Sequence, residues 1–163
     1  MLHKPITTLI FDWGDTIMRD YKSPGPIAEW EKVDWITGAE AVLEILSKKY
    51  TCIIATSADH SGTDEMIAAL KRVGADQYFH NFYSSKELGF KKPDPRFFTS
   101  IAKKLSLSPN ECVMIGNYYE KDITGAKQAG MQTVLFNENE ITGPFRDADV
   151  IILKMESLLD TIP

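Results

Sequence analysis

The chain lacks most of what a secreted, membrane-spanning or nucleic-acid-coating protein needs. Among its 163 residues there are two cysteines, Cys52 and Cys112, each inside an apolar run, TCIIAT and ECVMIG. A disulfide framework requires more than that, so the pair reads as buried thiols of a reducing compartment. No apolar run approaches membrane-spanning length. The opening MLHKPITT has no apolar core of the kind that marks a secretory signal, and the expected location is the cytoplasm. Basic residues are in deficit: 18 Lys and Arg against 23 Asp and Glu leave a net charge of −5, which argues against non-specific nucleic-acid binding. There is no internal repeat and no low-complexity tract. Length and a hydrophobic fraction of 44% suit a single domain over residues 1–163 with a sizeable core.

What is present is an alternation of apolar strands and amphipathic helices. The strand-like runs are LIF (9–11), CIIAT (52–56), NFYSS (81–85), ECVMIG (111–116) and MQTVLF (131–136), with DVIIL (149–153) a candidate for a last one. Between them, Ala39, Val42, Leu43 and Leu46 recur at helical spacing, with Thr37 and Glu40 placed as a capping box. Met66, Ala69, Leu70 and Val73 repeat the pattern before Gly74. A third helix from about Pro95 buries Phe98, Ile101, Ala102 and Leu105, and a fourth runs from about Glu120 to Gly130. Such alternation implies right-handed crossovers. The expected fold is therefore α/β and Rossmann-like: a doubly wound, mostly parallel sheet of about five strands with helices on both faces. Ligands in these sheets bind at the carboxyl ends of strands near a topological switch point. Asp12, Thr56 and Asn117 each directly follow an apolar strand, so all three are expected to face one crevice. The irregular segment within 17–37, which contains Pro24, Gly25 and Pro26, reads as a flap.

Four stations along the chain carry the chemistry. FDWGDT holds Asp12, IIATS holds Thr56, GFKKPDP holds Lys92, and VMIGNYYEKD holds Asn117 and Asp122. Phosphoryl transfer to a carboxylate needs these residue types: a nucleophilic aspartate, a cation and a lysine to offset accumulated negative charge, and a hydroxyl with backbone N–H groups to hold phosphate oxygens. Each residue also has a plainer reading. Asp12 could close a turn, Thr56 cap a helix, Lys92 lie in solvent, and Asp122 favour a helix N-terminus through its dipole.

Taken in this order, and above all through ELGFKKPDPRFF followed by VMIGNYYEKDITGAKQAGMQTV, the stations resemble the haloacid dehalogenase-like hydrolase superfamily. The resemblance runs from residue 7 to about 136. It implies a phosphatase in which Asp12 becomes a phosphoaspartate, Thr56 and Ser57 hold the phosphoryl group, and Lys92 neutralises charge between Asp12 and the phosphoryl group. It also implies a magnesium ion held by Asp12, the Gly14 backbone carbonyl, Asn117 and Asp122. The substrate is then a phosphorylated small molecule or a macromolecular phosphate. With only residues 17–37 after the first station, and one helix and one strand between Thr56 and Lys92, no separate cap domain is expected. Either the substrate serves as its own lid or a second subunit, in a homo-oligomer, covers the open site. No membrane partner is expected.

Two positions break the family pattern. The second carboxylate, which protonates the leaving group and later activates water, belongs two residues after the nucleophile; here that residue is Gly14, and the acid is Asp15. Asp15 recovers the role only if Gly14 turns the backbone differently. Asn117 stands where a metal-binding acid sits, and an amide oxygen brings no charge to a hard cation, so magnesium binding is expected to be weak. A catalytically weak or inactive phosphate-binding or interaction module is the alternative reading. Dehalogenation fits poorly: no substantial cap is present, and Arg19 is the lone nearby arginine. Tyr118 and Tyr119 are candidates for the site rim, Trp30 and Trp35 for packing the flap or forming an interface, and His60 for the crevice or the surface.

Overall fold

The computed structural model describes residues 1–59 and 61–163. Six strands form one sheet: β1 (Thr8–Phe11), β2 (Thr51–Thr56), β3 (Asn81–Ser84), β4 (Cys112–Gly116), β5 (Gln132–Phe136) and β6 (Val150–Ile152). Their order is β3-β2-β1-β4-β5-β6, and all five pairings are parallel. The sheet has six strands rather than about five because Val150–Ile152 does pair along Val134–Phe136.

The apolar runs become strands because both sheet faces are covered. Leu9, Phe11, Cys52, Ile54, Val113 and Ile115 enter one core layer, together with α1 (Ala39–Leu46) and α2 (Thr63–Val73). The alternate residues Ile10, Ile53, Ala55, Cys112 and Met114 enter the other, beneath Phe97, Phe98, Ile101 and Ala102 of α4 (Pro95–Lys104). The short helical turn α3 (Ser85–Leu88) precedes it. A central strand of this kind shows no polar face, which is why β1 reads as a continuous apolar run.

Two local expectations are corrected. Thr37 and Glu40 do not cap α1: its N-cap residue is Gly38, in the left-handed region at φ 81°, with no side-chain cap. The helix expected from Glu120 opens instead as one π-helical turn, Tyr119–Ile123, which tightens into α5 (Thr124–Gln128). That wide turn carries Asp122 back toward the end of β4, where its Oδ2 accepts the Tyr118 N–H at 3.1 Å. The chain ends in α6 (Leu158–Thr161).

The topology fixes the site. β1 lies at the centre, β2 and β3 build outward on one side, and β4 to β6 on the other. The direction of winding therefore reverses between β1 and β4, and the crevice outside their carboxyl ends is the switch point.

Candidate active site

A cavity of about 320 Å³ opens at that switch point, and it brings together the residues that the sequence singles out. Asp12, Gly14, Asp15, Thr56, Ser57, Lys92, Asn117 and Asp122 all line it, joined by Asp20, Lys22, Asp59 and Lys121 among others. They arrive from separate elements. Asp12 follows β1, Thr56 closes β2, Lys92 lies between α3 and α4, and Asn117 follows β4.

Lys92 is the electrostatic centre. Its ammonium group donates to Asp12 Oδ1 at 2.8 Å and to Asp122 Oδ1 at 3.0 Å, and its side chain is only 2% exposed. Burial on its own would pull the lysine pKa down. The Asp12 and Asp122 charges and hydrogen bonds outweigh it and hold the pKa above the usual 10.5. Asp122 is pushed up to about 6, first by burial and then by the Asp12 charge, against the opposing pull of Lys92. Two carboxylates share one buried lysine, and the cluster is anchored because each partner holds the other.

Backbone contacts hold this triad in register. Ser57 Oγ accepts the Lys92 backbone N–H at 2.9 Å, so the residue after Thr56 positions the lysine. Gly116 admits Asp122: a Cβ there would lie 2.4 Å from Asp122 Oδ2. Gly125 lets α5 approach the lysine loop, since a Cβ there would lie 2.1 Å from the Pro93 carbonyl oxygen. Thr56 is buried, its hydroxyl oxygen accepting the Ala58 N–H at 3.1 Å with its proton directed elsewhere.

The other oxygen of Asp12 meets Thr16 and Asn117. Thr16 Oγ1 donates to Asp12 Oδ2 at 3.3 Å. The inner atom of the Asn117 carboxamide lies 3.0 Å from Asp12 Oδ2, 3.3 Å from the Gly14 carbonyl oxygen and 3.2 Å from Thr16 Oγ1. If that atom is nitrogen, it has three acceptors. If it is oxygen, it stands 3.0 and 3.3 Å from Asp12 Oδ2 and the Gly14 carbonyl oxygen, near the separation of about 3.0 Å between neighbouring ligands of an octahedral magnesium with bonds near 2.1 Å, and the three make one oxygen set. The oxygen set therefore fits a hard cation in kind, but only Asp12 among the three is charged. Asp122 is occupied by Lys92 and the Tyr118 N–H. Among the described residues, no group of three or more Asp, Glu, His or Cys gathers as a metal site.

Asp15 and Asp20 also line the cavity. Asp15 sits in the left-handed region at φ 57°, and its Oδ1 accepts the Asp20 backbone N–H at 2.9 Å. Its pKa is raised, chiefly by burial, with the Asp20 charge adding to it. Asp20 itself is absent from every sequence motif. Only the tight turn from Trp13 to Met18, which returns the chain over Gly14, brings it to the cavity.

The remaining candidates divide. Arg19 is taken by a two-pronged ion pair with Glu138, at 2.7 and 3.0 Å, and does not enter the cavity wall. Tyr118 is half exposed at the rim, whereas Tyr119 packs against Phe145 and accepts the Asp147 N–H. Trp30 is buried, and Trp35 donates to the Val73 carbonyl at 3.0 Å, so both fasten the flap to the core. His60 lies outside the described residues.

A parallel α/β sheet with an aspartate–lysine–aspartate cluster at its switch point defines a class of hydrolase core. The model of the haloacid dehalogenase-like hydrolase family matches residues 13–136, and the chain belongs to that family. A glyceraldehyde 3-phosphate phosphatase of Methanopyrus kandleri is 36% identical over 98 residues, covering 57% of this chain and 42% of that protein. A ribulose-1,5-bisphosphate 5-phosphatase of Halopiger xanaduensis is 32% identical over 119 residues, covering 73% and 49%. The chain thus spans less than half the length of these relatives. The structure of the HAD-hydrolase YfnB of Bacillus subtilis, bound to magnesium, superposes with a TM-score of 0.82 at 18% identity, covering 98% of this chain and 99% of that one. No helix among the described residues is long and apolar enough to cross a membrane.

Proposed function

We propose that the protein is a phosphohydrolase that forms a phosphoaspartate on Asp12. The observation that carries this reading is the Asp12–Lys92–Asp122 cluster at the switch point, with Thr56 and Ser57 on the same cavity wall. An Asp12 oxygen attacks the phosphorus of a phosphate monoester. Lys92, already bound to Asp12, offsets the charge that gathers as the two anions meet, and its burial keeps that field unscreened. The Thr56 hydroxyl and the backbone N–H groups of the β2 loop hold the phosphoryl oxygens. The relatives named as glyceraldehyde 3-phosphate and ribulose-1,5-bisphosphate phosphatases support a phosphorylated small molecule as substrate.

Five carboxylates and three lysines line the cavity, so an incoming phosphate dianion meets a negative wall. Magnesium, when bound, would supply the missing positive charge, and Asp12, the Gly14 carbonyl and Asn117 would hold it. With one charged ligand among them, binding is weak. An Asn117 nitrogen turned inward donates to Asp12 Oδ2, the Gly14 carbonyl and Thr16 Oγ1 without a cation, and that observation supports the second reading, a phosphate-binding module with little turnover. The open cavity supports a bulky substrate or a second copy of the chain as cover, and the two buried free thiols support a cytoplasmic setting.

The test is phosphate release from para-nitrophenyl phosphate across a magnesium titration, comparing the native chain with Asp12→Asn. Turnover that disappears in Asp12→Asn and rises only at about millimolar magnesium is expected. Equal rates in both proteins would refute the phosphoaspartate, and saturation at micromolar magnesium would refute weak binding.

A further inference from the structure

We propose that Asp20 is the second carboxyl group of the reaction, the one that protonates the departing alcohol and then takes a proton from the attacking water. This rests on the phosphohydrolase reading above. Position 14, on the Asp12 loop, has no side chain. A Cβ built there would lie 3.6 Å from Asp20 Cβ, 3.8 Å from its Oδ2 and 4.0 Å from its Cγ. The Asp20 side chain therefore stands in van der Waals contact with the place where a side chain at position 14 would begin, and it lines the same cavity as Asp12, Thr56 and Lys92.

The placement is built. Asp15 N donates to the Met18 carbonyl at 2.7 Å, closing the turn, and Asp15 Oδ1 accepts the Asp20 N–H. The preceding residue is pinned on both sides, Arg19 N donating to the Asp34 carbonyl at 2.9 Å while its guanidinium grips Glu138. Lys22 N donates to Asp20 Oδ1 at 2.8 Å, which fixes the side chain and leaves Oδ2, the oxygen facing Gly14, without a protein donor among the described residues. The other cavity carboxyls are engaged. Asp12 and Asp122 are bound to Lys92, Asp59 pairs with Lys91 at 2.7 Å, and Asp15 is spent on the backbone that carries Asp20. Asp15 is thus the positioning residue and Asp20 the reacting one.

The step balances. The Asp12 oxygen forms a bond to phosphorus, the bond from phosphorus to the ester oxygen breaks, and that oxygen takes the Asp20 proton and leaves as an alcohol. Water then attacks the acyl phosphate, its proton passes to the Asp20 carboxylate, and inorganic phosphate departs from Asp12. A nitrophenolate needs no proton to leave, whereas an alkoxide does.

The experiment compares kcat/KM, which reports the first half-reaction, for glycerol phosphate and para-nitrophenyl phosphate in the native chain, Asp20→Asn, Asp15→Asn and Asp12→Asn. For Asp20→Asn the alkyl value is expected to fall about 10²–10⁴-fold while the aryl value changes less than about tenfold. Asp15→Asn keeps the acceptor for the Asp20 N–H and is expected to retain the native ratio of the two values. The surviving aryl activity certifies that the variant is folded. If Asp20→Asn does not fold, Asp20→Ser, which preserves an acceptor for Lys22 N–H, takes its place. Parallel loss with both esters, no loss with either, the selective alkyl loss in Asp15→Asn, or a native chain that cleaves only the aryl ester would each overturn the assignment. Loss of the phosphohydrolase reading looks different: Asp12→Asn would match the native chain.

Discussion

Lys92 shows how the chemistry and the stability of this chain depend on one ammonium group. It is fully enclosed between two carboxylates, so removing it leaves two buried anions without a partner. Lys92→Met is expected to lose about 3–5 kcal/mol of stability at neutral pH by urea unfolding. The loss shrinks as pH falls, because Asp122, already raised to about 6, takes up a proton. On the alkaline side the sign is fixed by the lysine itself. Its folded pKa lies above its ordinary 10.5, so its contribution is complete below 10.5 and fades as pH climbs through the folded value. Native unfolding free energies should fall in that window more than those of Lys92→Met. Equal slopes would show that the folded pKa of the lysine is not raised.

Among the elements, α5 is seated by an absence. Gly125 brings the helix so close to the lysine loop that a methyl group would overlap the Pro93 carbonyl oxygen at 2.1 Å and the Phe98 ring at 2.8 Å. The carbonyl belongs to the residue after Lys92 and cannot yield without shifting the lysine. Gly125→Ala, favourable for a helix in isolation, is therefore expected to destabilise by about 1–3 kcal/mol through overpacking, read as a lowered Tm, with turnover falling alongside. A raised Tm would mean that α5 has room which the packing denies. A helix from about Glu120 to Gly130 was legible in the sequence, but the π-helical turn Tyr119–Ile123 was not. That turn arises because Asp122 must reach the Tyr118 N–H and Lys92 across the end of β4.

Across the whole molecule, the flap within residues 17–37 is a strap fastened to the core. Arg72 of α2 holds it by donating to the Ala28 carbonyl at 3.2 Å, to the Trp30 carbonyl, and to the Glu31 carbonyl at 3.4 Å. Trp30 Nε1 closes the loop on the Gly25 carbonyl at 3.0 Å. The same strap carries Asp20 at one end and Asp34 at the other, so its hold on the core governs the cavity wall. Arg72→Ala is expected to loosen the strap by about 1–3 kcal/mol. Limited proteolysis within residues 22–32 and a red-shifted tryptophan emission would report it, with the sheet intact by circular dichroism. Unchanged cleavage would place the hold of the strap on Trp30 and Trp35 alone.

The sequence by itself determined the sheet and the four stations. Apolar runs buried on both faces have no polar residue to hide them, and a residue that directly follows such a run must lie at a strand end. Asp12, Thr56 and Asn117 were legible for that reason, and Lys92 and Asp122 through the family resemblance. Tertiary structure alone decided what no spacing encodes. It turned Asp15 inward upon the backbone, brought Asp20 beside Gly14, and carried Asp122 back to the Tyr118 N–H and Lys92. Those outcomes depend on a left-handed residue, a π-helical turn and ion pairs between segments far apart in the chain. Local propensity and periodicity carry no record of which distant group will be waiting.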